Sequence, residues 1–352
     1  MSTAPKFALV GAGVIGKHHG MVMGQLPGQV DLVAVADVAS ERAEALAAER
    51  GGTPYPSLDA ALAAQEIDVV VVCTPTGKHG EVAIAALEAG KHVIIEKPAE
   101  ITVARTDEII RAQQKAGTLV TVISQHRFDP ATEQTLEAIG KGELGRITSG
   151  IASIDWWRGQ SYYDSGGWRG TWELDGGGAL MNQGVHTVDL LVAALGRPVE
   201  VFAYAGTLAH ERIEVEDVAV GVVRFASGAL GVLHATTAAY PGLSARLQVH
   251  GDRGSAVIDN DQMAFFHSTP VGVAPSEMMM GGTQAISAGS GDTAAAANPG
   301  QLSDAHRLQY LNFLGALSGT EKLRVDLETN RQSIAVITAA YESARTGKPV
   351  AL

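Results

Sequence analysis

Glycines at 11, 13 and 16 fall directly between a short apolar run, 7–10, and the first helical pattern of the chain. Further apolar runs follow at 32–36, 69–73, 93–95 and 119–123, separated by Ala-rich helical patterns at 17–25, 41–50, 58–64, 81–89 and 103–116. Continuous Val/Ile/Leu stretches of this length suit parallel strands covered on both faces. Strand and helix in alternation predict a doubly wound α/β domain of Rossmann type over residues 1–124.

Beyond residue 125 the rhythm changes. Strand-like runs at 147–156, 199–208, 218–225, 229–237, 246–250 and 256–258 follow one another with turn signals such as Ser227-Gly228 between them, and one strong helical pattern, 179–195, is set among them. This predicts an α+β domain over 125–352 with a large, mainly antiparallel open sheet. The stretch 268–302 has no sustained period and reads as a long loop. Helices at 306–317 and 330–344 close the chain, the last free to pack back on the first domain. A length of 352 residues also favours two domains, because single cores stop growing near roughly 250 residues.

A net charge of -12 repels polyanions, so neither nucleic acid nor an anionic membrane is an expected partner. One cysteine, Cys73, excludes an internal disulfide and a cysteine metal cluster, and suits the cytoplasm. No H-E-x-x-H pattern occurs, and no metal is expected.

The spacing of Gly11, Gly13 and Gly16 has a physical logic. One glycine makes a tight turn, the next lets backbone approach a pyrophosphate, and the last lets helix pack on strand, with Val14 and Ile15 opening the helix whose positive end meets the phosphates. Asp37 ends the second run about 20 residues later, where a carboxylate accepts ribose hydroxyls and repels a 2'-phosphate. That pattern points to NAD rather than NADP, while a plain turn-forming role for Asp37 stays open.

The fifth strand leads into Glu96-Lys97-Pro98. Together with the glycine fingerprint, Thr74-Pro75-Thr76 with His79, and Gly176-Gly177-Gly178 leading to His186, this resembles the glucose-fructose oxidoreductase and inositol dehydrogenase family, known as Gfo/Idh/MocA. The likeness runs along essentially the whole chain. It implies NAD or NADP held by the first domain, NAD on the strength of Asp37, with Thr74, Pro75, His79, Glu96 and Lys97 joining the glycines and Asp37. It implies also that Lys97 touches both the substrate hydroxyl and the nicotinamide ribose, and that His186 takes the hydroxyl proton.

On a helix, Asn182 and His186 are four apart and share a face. Many inositol dehydrogenases resembling this chain carry Asp at the position of Asn182. Asn orients a hydroxyl but takes no proton, so the proton work moves to His186 and Lys97, and an inositol substrate becomes less favoured. The run Gly-Gly-Gly-Ala-Leu-Met-Asn-Gln resembles the branch that oxidises pyranose 3-hydroxyls. All four tryptophans, at 156, 157, 168 and 172, crowd into one region with Arg158, Tyr162, Tyr163 and Arg169. Aromatic faces suit the C–H faces of a sugar, and Trp156, Arg158, Tyr163, Trp168 and Arg169 are candidate substrate contacts. If the substrate carries a carboxylate, Arg158 or Arg169 is the expected partner. Gln125 and Arg127, where the first domain hands over to the second, are expected to face the substrate, with a structural role for Arg127 equally open. Asp189 either orients His186 or satisfies a structural contact, and His18 and His19 receive no chemistry.

The expected activity is NAD-dependent oxidation of a ring secondary alcohol of a sugar or cyclitol. Inositol 2-dehydrogenation and NAD-assisted glycoside hydrolysis are the alternatives. An open antiparallel sheet covered by a second subunit predicts a homodimer or homotetramer.

Overall fold

The computed structural model describes residues 4–269, 272 and 299–352, the last of these with side chains from residue 304 onward. Most of the 268–302 loop lies outside the described residues. The chain forms two compact units. The first takes residues through Gln125, Glu173–Gly176 and Pro299–Arg331; the second takes His126–Trp172, the described residues from Gly177 on, and Gln332–Leu352.

In the first unit, in chain order, are β1 (Lys6–Val10), α1 (Val14–Gly24), β2 (Asp31–Ala36), α2 (Ser40–Arg50), β3 (Thr53–Tyr55), α3 (Leu58–Ala64), β4 (Val69–Val72), α4 (His79–Glu88), β5 (His92–Ile95), α5 (Val103–Ala116) and β6 (Val120–Val122). The sheet order is β3-β2-β1-β4-β5-β6, with every pair parallel. Both faces are covered, which is why these strands read as unbroken apolar runs. Ala8, Val10, Val70, Val72, Val93 and Ile95 point into one core, while Phe7, Leu9, Val69, Val71 and Ile94 point into the other. Register matters for function: Ala36, Val10, Val72 and Ile95 lie side by side, so Asp37, Gly11, Cys73 and Glu96 emerge together at the carboxyl edge of the sheet.

The second unit begins with α6 (Pro130–Gly140), β7 (Ile147–Asp155), α7 (Gln160–Asp164) and α8 (Val185–Leu195). It continues with β8 (Pro198–Gly206), β9 (Val218–Phe225), β10 (Leu230–Thr236), β11 (Ala245–Gly251), β12 (Gly254–Asp259) and β13 (Gln262–Ser268). The eight-stranded sheet runs β13-β12-β11-β7-β10-β9-β8, closed at the far edge by β14 (Val350–Ala351). Only β7 and β10 pair in parallel. Helix α8 packs on one face, with Leu191 buried over Gly150 and Gly231. The other face leaves Tyr204, Val220, Val222, Leu230 and Val232 exposed.

Two further helices, α9 (Pro299–Leu317) and α10 (Leu327–Thr346), depart from the single cut at 124. Tyr310 and Phe313 of α9 complete the core around Phe7 and Leu9, so α9 belongs to the first unit, and the boundary at Arg331 divides α10 between the two. Strands β3, β13 and β14 have no counterpart among the sequence runs. The 179–195 helix is also not continuous: Ala179–Gln183 is a π-helical turn, and α8 starts only after Gly184. A face shared by Asn182 and His186 at α-helical spacing therefore does not apply.

Gly150 lies on the packed face of β7, where an added Cβ would meet Leu191 Cδ1 at 2.8 Å and Leu195 Cδ1 at 2.9 Å. Gly150→Ala is expected to destabilise the protein by about 1–3 kcal/mol through overpacking, measured by denaturant titration. An unchanged midpoint would mean that α8 moves freely over β7.

Candidate active site

Gly11 has φ +100 and sits so close to β4 that a Cβ would lie 2.5 Å from the Cys73 carbonyl oxygen. A Cβ on Gly16 would lie 1.9 Å from the Gly11 carbonyl oxygen. These two glycines let strand, turn and helix pack. Gly13 differs, since a Cβ there meets nothing within 4 Å. Gly13 also caps α1 without a side-chain hydrogen bond, and the first turn of α1 carries no acid, so its N–H groups and positive dipole end are offered to an anion. The residues present fit a dinucleotide.

Asp37 uses both carboxylate oxygens locally: the Ala12 N–H donates to one at 2.7 Å and the Ala39 N–H to the other at 2.8 Å. It stiffens the glycine turn, and its further lone pairs remain for ribose hydroxyls.

Two residues expected at the cofactor, His79 and Glu96, also brace the structure internally. The His79 ring is buried, with its nitrogens 2.8 Å from the carbonyl oxygens of Thr74 and Pro98. It holds the Thr74–Pro75 loop against the Lys97–Pro98 turn. Glu96 is buried at the end of β5, 2.8 Å from His19 Nε2 and 3.8 Å from His306 Nε2, and it accepts the Lys97 N–H at 3.0 Å. Burial alone would raise its pKa, but the two histidines outweigh that and hold it well below the usual carboxylate range. Burial depresses the His19 pKa against the pull of Glu96, and an Nε2–H donated to Glu96 leaves Nδ1 to accept from the Tyr310 hydroxyl at 2.7 Å. From 93 to 100 every residue is buried except Lys97. The network thus fixes the backbone that presents one accessible ammonium.

In the second unit, residues 177–192 are all buried except Asn182 and His186. What holds this stretch is Glu216, a residue the sequence reading passed over. Its carboxylate accepts the N–H groups of Gly178 and Leu180, each at 2.8 Å, and the Tyr341 hydroxyl at 2.9 Å. Burial pushes Glu216 up to about 7 against those donors. A Cβ on Gly178 would lie 1.7 Å from the Glu216 carbonyl oxygen, which accounts for glycine there.

Arg127 makes a two-pronged ion pair with Asp189, at 2.6 and 2.7 Å, and is itself buried. It braces α8 one turn beyond His186, the structural role that the sequence left open, and Asp189 serves the same pair. Neighbouring His126 lies 2.9 Å from both Asp129 and Asp261 and packs edge to face on His186, with ring centroids 4.9 Å apart. Burial pulls its pKa down, but the two carboxylates overcome this and lift it to about 10. The donor atoms of His126, Asp129 and Asp261, like those of His19, Glu96 and His306, are close enough for a metal ion, and hydrogen bonding accounts for their spacing equally well.

Tyr163 is buried with its hydroxyl on Thr237 at 2.7 Å, a core position. Arg158 and Arg169 both lie over the Tyr162 ring, Arg158 also over Trp156 and Arg169 also over Trp168. Gln125 is buried in the first unit.

Comparison with known proteins places these features. Residues 5–124 match the oxidoreductase family with an NAD-binding Rossmann fold, and residues 132–257 match the GFO/IDH/MocA C-terminal domain. Myo-inositol 2-dehydrogenase of Thermotoga maritima is 30% identical over 268 residues, 72% of this chain and 75% of that protein. D-glucoside 3-dehydrogenase of Escherichia coli is 34% identical over 203 residues, 56% of each chain. The crystal structure of the WlbA dehydrogenase from Bordetella pertussis, in complex with NADH and UDP-GlcNAcA, superposes with a TM-score of 0.85 at 32% identity, covering 99% of both chains.

Gly13→Ala is expected to leave stability within about 0.5 kcal/mol, as for a surface change, because the methyl group meets no protein atom. NAD affinity should fall about tenfold or more as the pyrophosphate loses its approach, read by calorimetric titration; unaltered affinity would remove the turn from the cofactor site. His126 has a folded pKa above its ordinary value of about 6.5, so its contribution to stability is complete below that pH and is lost as pH rises through about 10. Melting temperature should therefore fall over that window more in the unmodified protein than in His126→Gln. Parallel profiles would contradict the carboxylate cage.

Proposed function

The chain belongs to the Gfo/Idh/MocA family of NAD-binding oxidoreductases, and on that footing we propose that it oxidises a ring secondary alcohol of a sugar, the 3-hydroxyl of a pyranose, to a ketone. The observation that carries this reading is the selective exposure of Asn182 and His186 in an otherwise buried stretch. Burying every neighbour while leaving an amide and an imidazole accessible is what a hydroxyl-handling site requires. When bound, NAD supplies the acceptor for the hydride leaving the carbinol carbon.

The protein's own groups do the rest. The N–H groups at the start of α1 and the Asp37 carboxylate hold the dinucleotide, and Asp37 disfavours a 2'-phosphate by charge. Asn182 orients the hydroxyl. His186 accepts its proton, and the Lys97 ammonium stabilises the developing alkoxide and relays protons. Support for the 3-position comes from the relative named a D-glucoside 3-dehydrogenase and from Asn in place of a carboxylate at 182. The exposed face of Tyr204, Val220, Val222, Leu230 and Val232 supports a homodimer or homotetramer in which a second copy covers the sheet. Among the described residues, no helix is long and apolar enough to cross a membrane.

His186→Ala and Lys97→Ala should each lower turnover by about 100-fold or more, the range for a positioned acid–base group. Pyranoses deuterated singly at each ring carbon identify the oxidised position, and the label should reach NADH from the third carbon alone. Transfer from another carbon, or oxidation of inositols with none of pyranoses, would overturn the regiochemistry.

A further inference from the structure

We propose that Arg158 and Arg169 form a preorganised oxyanion subsite, so that the preferred substrate carries a carboxylate or phosphate. This rests on Asn182 and His186 marking the reacting end of the substrate.

The two guanidinium groups converge on one ring. Arg158 Cζ lies 5.2 Å and Arg169 Cζ 4.4 Å from the centre of Tyr162. Trp156 lies beneath Arg158 at 5.0 Å, and Trp168 beneath Arg169 at 4.6 Å. Cation–π attraction holds the planes in place without neutralising them. Among the described residues neither arginine enters an ion pair, although Arg212, Arg224 and Arg246 of the same unit all do. In a chain with 38 acidic and 26 basic residues, two unneutralised guanidinium groups on one ring run against the general excess of carboxylates. Arg158 Nε is buried with no hydrogen-bond partner. Leaving such a donor unmet is unfavourable, and an incoming oxyanion removes that cost.

The platform is also stiff and correctly addressed. The Arg158 N–H donates to the Thr237 carbonyl at 2.9 Å, and the Arg158 carbonyl lies 2.6 Å from His210 Nε2, whose other nitrogen lies 2.9 Å from Asp217. The Tyr162 hydroxyl accepts from Gln183 Nε2 at 3.2 Å. Gln183 is the immediate neighbour of Asn182, so the ring beneath both arginines is tied to the turn that carries the candidate substrate amide. A planar fork on each arginine suits a carboxylate or a phosphate equally.

Tryptophan fluorescence reads binding without turnover, with D-glucose, D-glucuronate and glucose 1-phosphate as probes and NADH present. At least one anionic probe should bind about tenfold or more tighter than glucose, as a charge-assisted contact implies. Preference for glucuronate alone assigns a carboxylate, and preference for glucose 1-phosphate alone assigns a phosphate. Arg158→Gln with Arg169→Gln should abolish the preference. Arg158→Lys with Arg169→Lys, which keeps both charges, should retain part of it and shows that the loss is not one of folding. Equal binding of the three probes by the unmodified protein, or a preference that survives in the double Gln variant, overturns the subsite. An anion-selective protein that reduces no NAD with any ring alcohol would instead overturn the dehydrogenase reading.

Discussion

Burying the Glu96 carboxylate costs several kcal/mol unless donors replace water, and the donors it has come from three separate parts of the first unit. His19 on α1 and His306 on α9 face it, and the Lys97 amide closes the set. Tyr310 holds His19 in the tautomer that donates. Because one carboxylate engages α1 and the exit of β5 together, the glycine turn that opens α1 and the backbone of Lys97 are positioned by the same interaction. His79 repeats the device, joining the exits of β4 and β5 through two carbonyl oxygens.

The second unit uses a buried carboxylate in a comparable way. Glu216 satisfies backbone donors of a glycine turn that has no regular ladder to do so. The Arg127–Asp189 pair then fixes α8 just beyond His186. In both units the charged residues nearest the candidate chemistry are spent on holding backbone, which leaves Lys97, Asn182 and His186 as the accessible polar groups of their stretches.

The sequence makes the first sheet readable because its strands are buried on both faces, so four consecutive valines in β4 have one interpretation. Strand β3 escapes because it is three residues long and contains Pro54. Strand β13 escapes because partly buried residues alternate along it with no apolar face. The apolar pattern across 179–195 hides the break at Gly184, which only the glycine itself signals. Motifs locate Glu96 and His79 but not the direction of their side chains, since the partner of Glu96 lies 77 residues away in the chain. Glu216 has no local mark at all; its role exists only once Gly178, Leu180 and Tyr341 have been brought to it.

The most direct measurement follows nicotinamide absorbance and product together while enzyme and NAD are incubated with free pyranoses, anhydrosugars, inositols and glycosides. The account predicts one NADH formed for each ketone formed on a pyranose, with no glycoside cleaved. Release of aglycone from a glycoside with no net NADH would contradict it, since the cofactor would then be regenerated within each turnover.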